Sequence, residues 1–193
     1  MPSDGTKKDL MLLTPTDIMT DELQDGIIKK TEELIEDNKG PEATEEAQEL
    51  VDLKPEEAIA WFMKGKALYV EEKFEESLAC LSKAAELNRE QPEVWQMLGY
   101  CLISLNRMQE ALQALEYVKT ADPKNAEAIY ALGIAYVLLG DVKNAKENVN
   151  LAYSVDATKI RLVANNLSQR FISPAQGVSQ GAKVAIERIL MVR

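Results

Sequence analysis

Apolar side chains in the middle of the chain recur every three or four residues and are interrupted by short polar breaks. One run places Trp95, Leu98 and Leu102 at this spacing, and the run after the next break contains Ala111 and Leu115. Residues three and four positions apart share one face of an α-helix, so each run predicts an amphipathic helix. The break between the runs is only a few residues long. The pattern therefore indicates two helices joined by a tight turn, as in a helical hairpin.

The hairpin pattern repeats with a period of 34 residues, as the spacing of Gly65, Gly99 and Gly133 shows. Large apolar residues stand four positions before these glycines and small residues stand twelve positions after them: Trp61, Trp95 and Ile129, then Ser77, Ala111 and Ala145. Small residues at such places let two helix backbones approach closely. The repeat divides the middle of the chain into three units, 58–91, 92–125 and 126–159.

These units resemble the tetratricopeptide repeat. The residues of the second unit that carry the resemblance are Trp95, Leu98, Gly99, Ala111, Leu115 and Pro123. The third unit lacks the proline, and the first has Lys64 in place of the leucine and Ser77 in place of an alanine. The units cover 102 of the 193 residues. The resemblance implies an all-α fold, a TPR-type α-solenoid of antiparallel helix hairpins with a C-terminal capping helix.

Residues 21–57, one period before the first clear unit, keep part of the same pattern. Thr31 stands where the later units have glycine, and Gly40-Pro41 suggests a turn about two residues late. We predict a degenerate helical hairpin in this part of the chain, with helices over residues 21–38 and 42–53.

The two ends of the chain are assigned from composition and pattern. Residues 1–20 are expected to be a flexible leader, whose apolar stretch 10–19 either occupies a groove of the same or a neighbouring molecule or has no role. Residues 160–193 are expected to form a helix over about 159–171 that covers the open apolar face of the last hairpin, then a loop, then a terminal helix from 182 to 192. The terminal helix either caps the solenoid or lies in another molecule's groove.

The resemblance also implies where a partner would bind, because the first helix of each such hairpin lines the concave side. The concave positions are mostly apolar or aromatic, and a stripe of this kind exceeds what a monomer normally exposes to water. The alternative is that some of these side chains are buried between neighbouring helices. The residues predicted to bind a partner are Phe62, Met63, Lys66, Tyr69, Gln96, Met97, Tyr100, Ile103, Tyr130, Ile134 and Val137. A variant of the family grips a carboxylate with basic and amide side chains, and only Lys66 has a suitable charge here.

Composition argues against most catalytic and metal-binding functions. The chain has no histidine, the usual general base and the commonest metal ligand. Cys80 and Cys101 are too few for a zinc site and lie in apolar surroundings, so we expect structural thiols in a reducing compartment. Gly177 and Gly181 lack the spacing and the lysine of a phosphate-binding loop. We expect no enzyme activity, no catalytic residue, no metal site and no cofactor.

The net charge of −10 is unevenly distributed along the chain. Residues 1–57 carry a net charge of −11, residues 58–159 carry −3 and residues 160–193 carry +4. An acidic chain with dispersed basic residues does not suit nucleic acid, which needs clustered lysine and arginine. The apolar runs are too short for a membrane span or a secretory signal. We therefore expect neither a nucleic-acid nor a membrane partner, and a cytoplasmic location.

Three functions remain compatible with these patterns. The leading hypothesis is a protein–protein interaction module, an adaptor or assembly chaperone, whose apolar groove binds a peptide or helix of a partner. The second is a protein that resembles the chaperones of bacterial type III secretion translocators, because small size, acidity, three repeats and extra N-terminal helices all fit. The third is a self-associating scaffold, a homo-oligomer in which the acidic front of one chain meets the basic tail of another.

Overall fold

Helices follow one another through the computed structural model, which describes residues 15–175 and 180–190. Within these residues the helices are α1 (Pro15–Glu36), α2 (Gly40–Leu53), α3 (Ala58–Val70), α4 (Phe74–Leu87), α5 (Pro92–Ser104), α6 (Met108–Ala121), α7 (Ala126–Leu138), α8 (Val142–Phe171) and α9 (Gln180–Leu190). Consecutive helices from α1 to α8 pack against one another. The predicted all-α solenoid of helix hairpins is confirmed.

The turns inside the four hairpins share one backbone conformation. Asn38, Glu72, Asn106 and Gly140 stand at the same place in each period and have φ angles of 58°, 61°, 58° and 82°. In each turn two backbone N–H groups donate to carbonyls near the end of the preceding helix, which the helix itself leaves unpaired. The prediction of a late turn at Gly40-Pro41 is wrong. Asn38 makes that turn, because asparagine tolerates the left-handed region, and α2 begins at Gly40.

The two helices of each clear repeat approach closely at the repeated glycine. A Cβ atom added at Gly99 would lie 2.6 Å from the Cγ atom of Leu115, and one added at Gly133 would lie 2.8 Å from the Cγ2 atom of Val149. Non-bonded carbon atoms do not come so near in a packed interior. The large side chain on the second helix therefore fills the space that the glycine on the first helix leaves open.

The first hairpin reverses this distribution of side-chain size. Thr31 stands one period before Gly65, and Ala47 stands one period before Leu81. Both residues are fully buried. The Thr31 hydroxyl donates to the carbonyl of Ile27 at 2.8 Å, so its burial leaves no unpaired polar group. The hairpin that looks degenerate in sequence thus places its larger residue on the first helix and its smaller residue on the second.

The first helix is longer than the pattern predicts. It begins at Pro15 and not near residue 21. Proline suits the first turn of a helix because its φ angle is already helical and its missing N–H has no partner there. Residues 1–14 of the predicted leader lie outside the described residues.

Helix α8 continues past the end of the third repeat into the capping helix. It bends at Asp156, whose φ and ψ angles of −152° and 88° are not helical. The Asp156 carboxylate accepts a hydrogen bond from the N–H of Lys159 at 2.8 Å and so caps the second part of α8, residues 157–171. The predicted capping helix is therefore present, but it is joined to the preceding helix through one bent residue.

The buried apolar residues form two adjoining clusters. An N-terminal cluster includes Ile27, Leu50 and Met63, and the main cluster contains residues from Tyr69 to Leu190. Trp61 and Phe62 of α3 pack against both clusters. Helix α3 thereby joins the first hairpin to the three repeats. Within the described chain, no helix combines the length and the apolar character needed to cross a membrane.

Glu72 is the one charged residue among the four left-handed turn positions. We expect Glu72→Asn to raise the free energy of unfolding by about 0.5–1 kcal/mol, because asparagine adopts a positive φ at lower cost than glutamate. Urea unfolding followed by circular dichroism measures the change. Glu75→Asn, at an exposed helical position nearby, is the control and should not stabilise. Equal changes in the free energy of unfolding at the two positions would contradict the explanation that glutamate is strained at the positive φ of position 72.

The reversed residue sizes of the first hairpin predict coupling between Gly99 and Leu115. We expect Gly99→Thr to destabilise through a clash with Leu115, and Leu115→Ala to destabilise by about 2–5 kcal/mol through a cavity. The double variant reproduces the Thr31 and Ala47 pair, so it should be more stable than the sum of the single changes by about 1–3 kcal/mol. Denaturant unfolding of the four proteins measures this coupling, and strict additivity would count against the packing model.

Candidate functional site

The predicted partner-binding residues lie on the first helix of each of the three clear repeats, α3, α5 and α7. Seven of them are buried: Met63, Tyr69, Tyr100, Ile103, Tyr130, Ile134 and Val137. Phe62, Lys66, Gln96 and Met97 are only partly buried. The residues share one side of the solenoid, but the chain itself covers most of them. Their role in binding a partner stays a prediction.

Part of this cover comes from residues 169–175 and α9, which we call the C-terminal segment. The Arg170 guanidinium lies 4.7 Å from the centroid of the Tyr69 ring. The Phe171 ring lies 5.4 Å from the Tyr100 ring, measured between centroids. The Tyr130 hydroxyl donates to the carbonyl of Leu190 at 3.4 Å.

Each of the three repeats contributes one of these tyrosines to the contact. Tyr69 comes from α3, Tyr100 from α5 and Tyr130 from α7. The C-terminal segment therefore occupies part of the concave groove, defined here as the inner face of α3, α5 and α7. The prediction that apolar residues 10–19 fill the groove stays open, because residues 1–14 lie outside the described part of the chain and the side chains of 15–19 are not described.

Polar side chains connect α5 to α7 on the same face. The Gln96 side-chain amide donates to the Tyr100 hydroxyl at 2.8 Å, and that hydroxyl donates to the Glu127 carboxylate at 2.9 Å. The Asn125 amide donates to Gln96 at 2.7 Å. Burial, together with the neighbouring Glu127 carboxylate, raises the pKa of Tyr100 well above its usual value. Tyr100 is therefore a neutral donor inside the protein rather than an accessible groove residue.

A cavity of about 860 Å³ opens where the C-terminal ends of α3, α5 and α7 meet the C-terminal segment. Its wall includes Tyr69, Ile103, Leu138, Phe171 and Pro174. The Tyr69 hydroxyl is buried and makes no well-formed hydrogen bond in the described residues. Burial raises the pKa of Tyr69 to about 12, although the nearby Arg170 guanidinium acts in the opposite direction. The wall also contains charged side chains, Glu72, Glu75 and Arg170, so the cavity combines aromatic surface with groups that can hydrogen-bond part of a peptide ligand.

Lys66, the one basic residue predicted in the groove, has partners of its own. Its ammonium group lies 3.8 Å from the Glu32 carboxylate of α1 and 5.5 Å from the centroid of the Phe62 ring. The sequence interpretation did not place α1 beside this residue. The neighbouring carboxylate makes Lys66 a poor site for an anionic ligand, which agrees with the missing carboxylate-binding set.

Arg170 and Phe171 are groove residues that the sequence interpretation missed. A signal for Phe171 was present, because it stands exactly three periods after Tyr69, with Ile103 and Val137 at the intervening places. The capping helix thus continues the register of the repeats. No group of three or more acidic or cysteine side chains in the described residues is arranged to hold a metal ion.

Helical hairpins in tandem, with an inner face that receives a helical segment, define a repeat scaffold. Two sequence models of the tetratricopeptide repeat match this chain, one over residues 32–79 and 62–126 and the other over residues 126–159. The chain belongs to the tetratricopeptide-repeat family. No curated protein sequence matches significantly.

Solved structures of low sequence identity share the fold. MamA from Desulfovibrio magneticus RS-1 is 18% identical, with a TM-score of 0.64 over 86% of this chain and 94% of that chain. The pilF protein of Pseudomonas aeruginosa is 15% identical, with a TM-score of 0.68 over 89% of this chain and 76% of that chain. A Thermobaculum terrenum O-GlcNAc transferase is 14% identical with a TM-score of 0.67, and the match covers 74% of this chain but only 27% of the transferase.

These findings support a role as a protein–protein interaction module. The fold is generally a non-catalytic scaffold, and the match to the transferase covers only a minor part of that enzyme. Likeness at this level of identity establishes the fold and leaves the ligand to be argued from the groove itself.

The different burial of Met97 and Tyr100 predicts different costs for the same substitution. We expect Tyr100→Glu to lower the free energy of unfolding by more than about 3 kcal/mol, because it buries a second carboxylate beside Glu127. Met97→Glu should cost only about 1–2 kcal/mol, because Met97 is partly accessible and no hydrogen bond depends on it. Thermal unfolding followed by circular dichroism compares them. Similar losses would show that the Tyr100 environment is more accessible than the structure indicates.

Proposed function

We propose that this protein is an adaptor or assembly chaperone that binds an apolar helix or extended peptide of a partner protein in its concave groove. The observation that carries the proposal is the contact of one C-terminal segment with an inner-face tyrosine of all three repeats, Tyr69, Tyr100 and Tyr130. A groove that receives a segment of its own chain has the width and apolar character to receive one from another protein.

The accessible part of the groove lies beside Met97. Phe62 and Met97 are partly exposed and pack against the main cluster from the groove side. Methionine and aromatic side chains adapt to ligands of different shape and often dominate the binding energy of an interface. We infer that a partner contacts these residues and that the cavity near Tyr69, whose wall is part aromatic and part charged, takes a side chain of that partner.

The state of the cysteines supports the expected compartment. Cys80 and Cys101 are free and buried, and burial raises the pKa of the Cys101 thiol to about 11. Ser77 lies 3.1 Å from the Cys101 sulfur in a hydrogen bond, so this thiol has a structural environment. Unpaired thiols suit a reducing compartment such as the cytoplasm. The proposal therefore places the protein there.

Met97→Glu tests the groove without disturbing the buried Tyr100 network. The full chain is used to select binders from a displayed library of amphipathic helices, and their affinities are then measured by fluorescence anisotropy. We expect Met97→Glu to weaken the selected binders at least tenfold, because a carboxylate at this place opposes apolar contact. Its circular dichroism spectrum should remain that of a helical protein.

Gln113→Glu is the matched control for charge. Gln113 is exposed on α6, the second helix of the same repeat, so this variant adds one negative charge away from the groove. It should bind as the unmodified chain does. Groove binding would be contradicted if the selected helices bound Met97→Glu with unchanged affinity. It would also be contradicted if Gln113→Glu lowered their affinity as much as Met97→Glu does.

A further inference from the structure

The seam between the C-terminal segment and the repeats is incompletely paired. The hydroxyls of Tyr69 and Ser168 are buried and make no well-formed hydrogen bond in the described residues, although Ser104 and Arg170 lie near the first and Tyr130 lies near the second. Tyr69 lies beneath Arg170, and Ser168 lies close to Tyr130 and directly before the segment. A buried polar group that is poorly paired is costly, so both hydroxyls weaken the same contact.

The seam also borders a cavity that opens to the surface. The cavity of about 860 Å³ has Tyr69, Ile103 and Leu138 on the side of the repeats and Arg170, Phe171 and Pro174 on the side of the segment. The remainder of the main cluster contains fully buried residues such as Ile129 and Leu132. Side chains that face an unfilled space lose contacts that a well-fitting ligand would provide.

Helix α9 is attached by few described contacts. Leu190 is fully buried and Ile186 packs against the main cluster, but Val184 is 40% exposed. The hydrogen bond from Tyr130 to the Leu190 carbonyl is long, at 3.4 Å. The Lys183 ammonium bonds to the Ser173 carbonyl, which belongs to the segment itself. Elements with few anchoring contacts open at lower free energy than the core.

We propose that the C-terminal segment is a resident, replaceable occupant of the groove, and that the partner displaces it with an amphipathic helix that carries a basic residue followed by an aromatic one. This inference rests on the proposed function and specifies the chemistry of its ligand. The basic and aromatic pair follows from the places of Arg170 over Tyr69 and of Phe171 against Tyr100. Such a helix binds better than the segment when it also fills the cavity and accepts a hydrogen bond from Tyr69.

The test uses the chain's own segment as the probe, so that no partner has to be known. A fluorescent synthetic peptide with the sequence of residues 167–190 is titrated into the full-length protein and into full-length Leu190→Asp. The substitution places a carboxylate at a fully buried position and releases α9 from the groove. We expect at least tenfold tighter peptide binding to Leu190→Asp, because the unmodified chain must first release its own segment.

Two controls separate displacement from general loosening of the fold. Leu162→Asp makes the same change at a side chain that is 77% exposed on the capping helix, and it should bind the peptide as the unmodified chain does. A peptide with Arg170→Glu and Phe171→Ala should bind full-length Phe171→Ala/Leu190→Asp, in which the place against Tyr100 is vacated, at least tenfold more weakly than the natural peptide does. Hydrogen exchange should show faster exchange in α9, and unchanged exchange in α5, when the natural peptide binds the unmodified chain.

The proposal is overturned if the peptide binds neither protein, if it binds both equally, or if the doubly substituted peptide binds as well as the natural one. These outcomes differ from failure of the proposed function. If the groove binds partners but the segment is a permanent part of the fold, Met97→Glu still weakens the selected helices while Leu190→Asp leaves their affinity unchanged.

Discussion

The close approach of two helices in each hairpin is the constraint on which the structure depends. Where Gly99 faces Leu115, no side chain can be added to the first helix without moving the second. The pairing sets how near the helices lie, and its recurrence every 34 residues makes successive hairpins stack in the same way. At Thr31 and Ala47 the larger residue lies on the first helix and the smaller one on the second. The hairpins therefore share the pairing of one large with one small side chain, and not a particular residue at either position.

The register established in this way continues beyond the last hairpin. The left-handed turns at Asn38, Glu72, Asn106 and Gly140 hold each second helix at the same place relative to the first. Asp156 then bends α8 so that residues 157–171 follow the third repeat as another first helix would. The end of this helix reaches the inner face and places Arg170 over Tyr69 of the first clear repeat.

The groove is consequently a site that the protein partly fills itself. Its tyrosines are buried by a segment of the same chain, while Met97 and Phe62 remain accessible at its edge. The buried hydroxyl of Tyr69 lies in the wall of the cavity, where the repeats meet the C-terminal segment. A binding surface of this kind is protected from water in the free protein and can still favour a ligand with better contacts.

The sequence by itself determined the helices, their 34-residue period and the side of each hairpin that carries the aromatic residues, because apolar spacing and small-residue positions are local patterns. It did not reveal the turn at Asn38, since the nearby Gly40-Pro41 is a stronger turn signal, or the burial of Tyr100 and Tyr130. Only the tertiary structure decided which inner-face residues stay accessible. That outcome depends on contacts between residues far apart in the chain, such as Phe171 with Tyr100 and Leu190 with Tyr130, which no local pattern encodes.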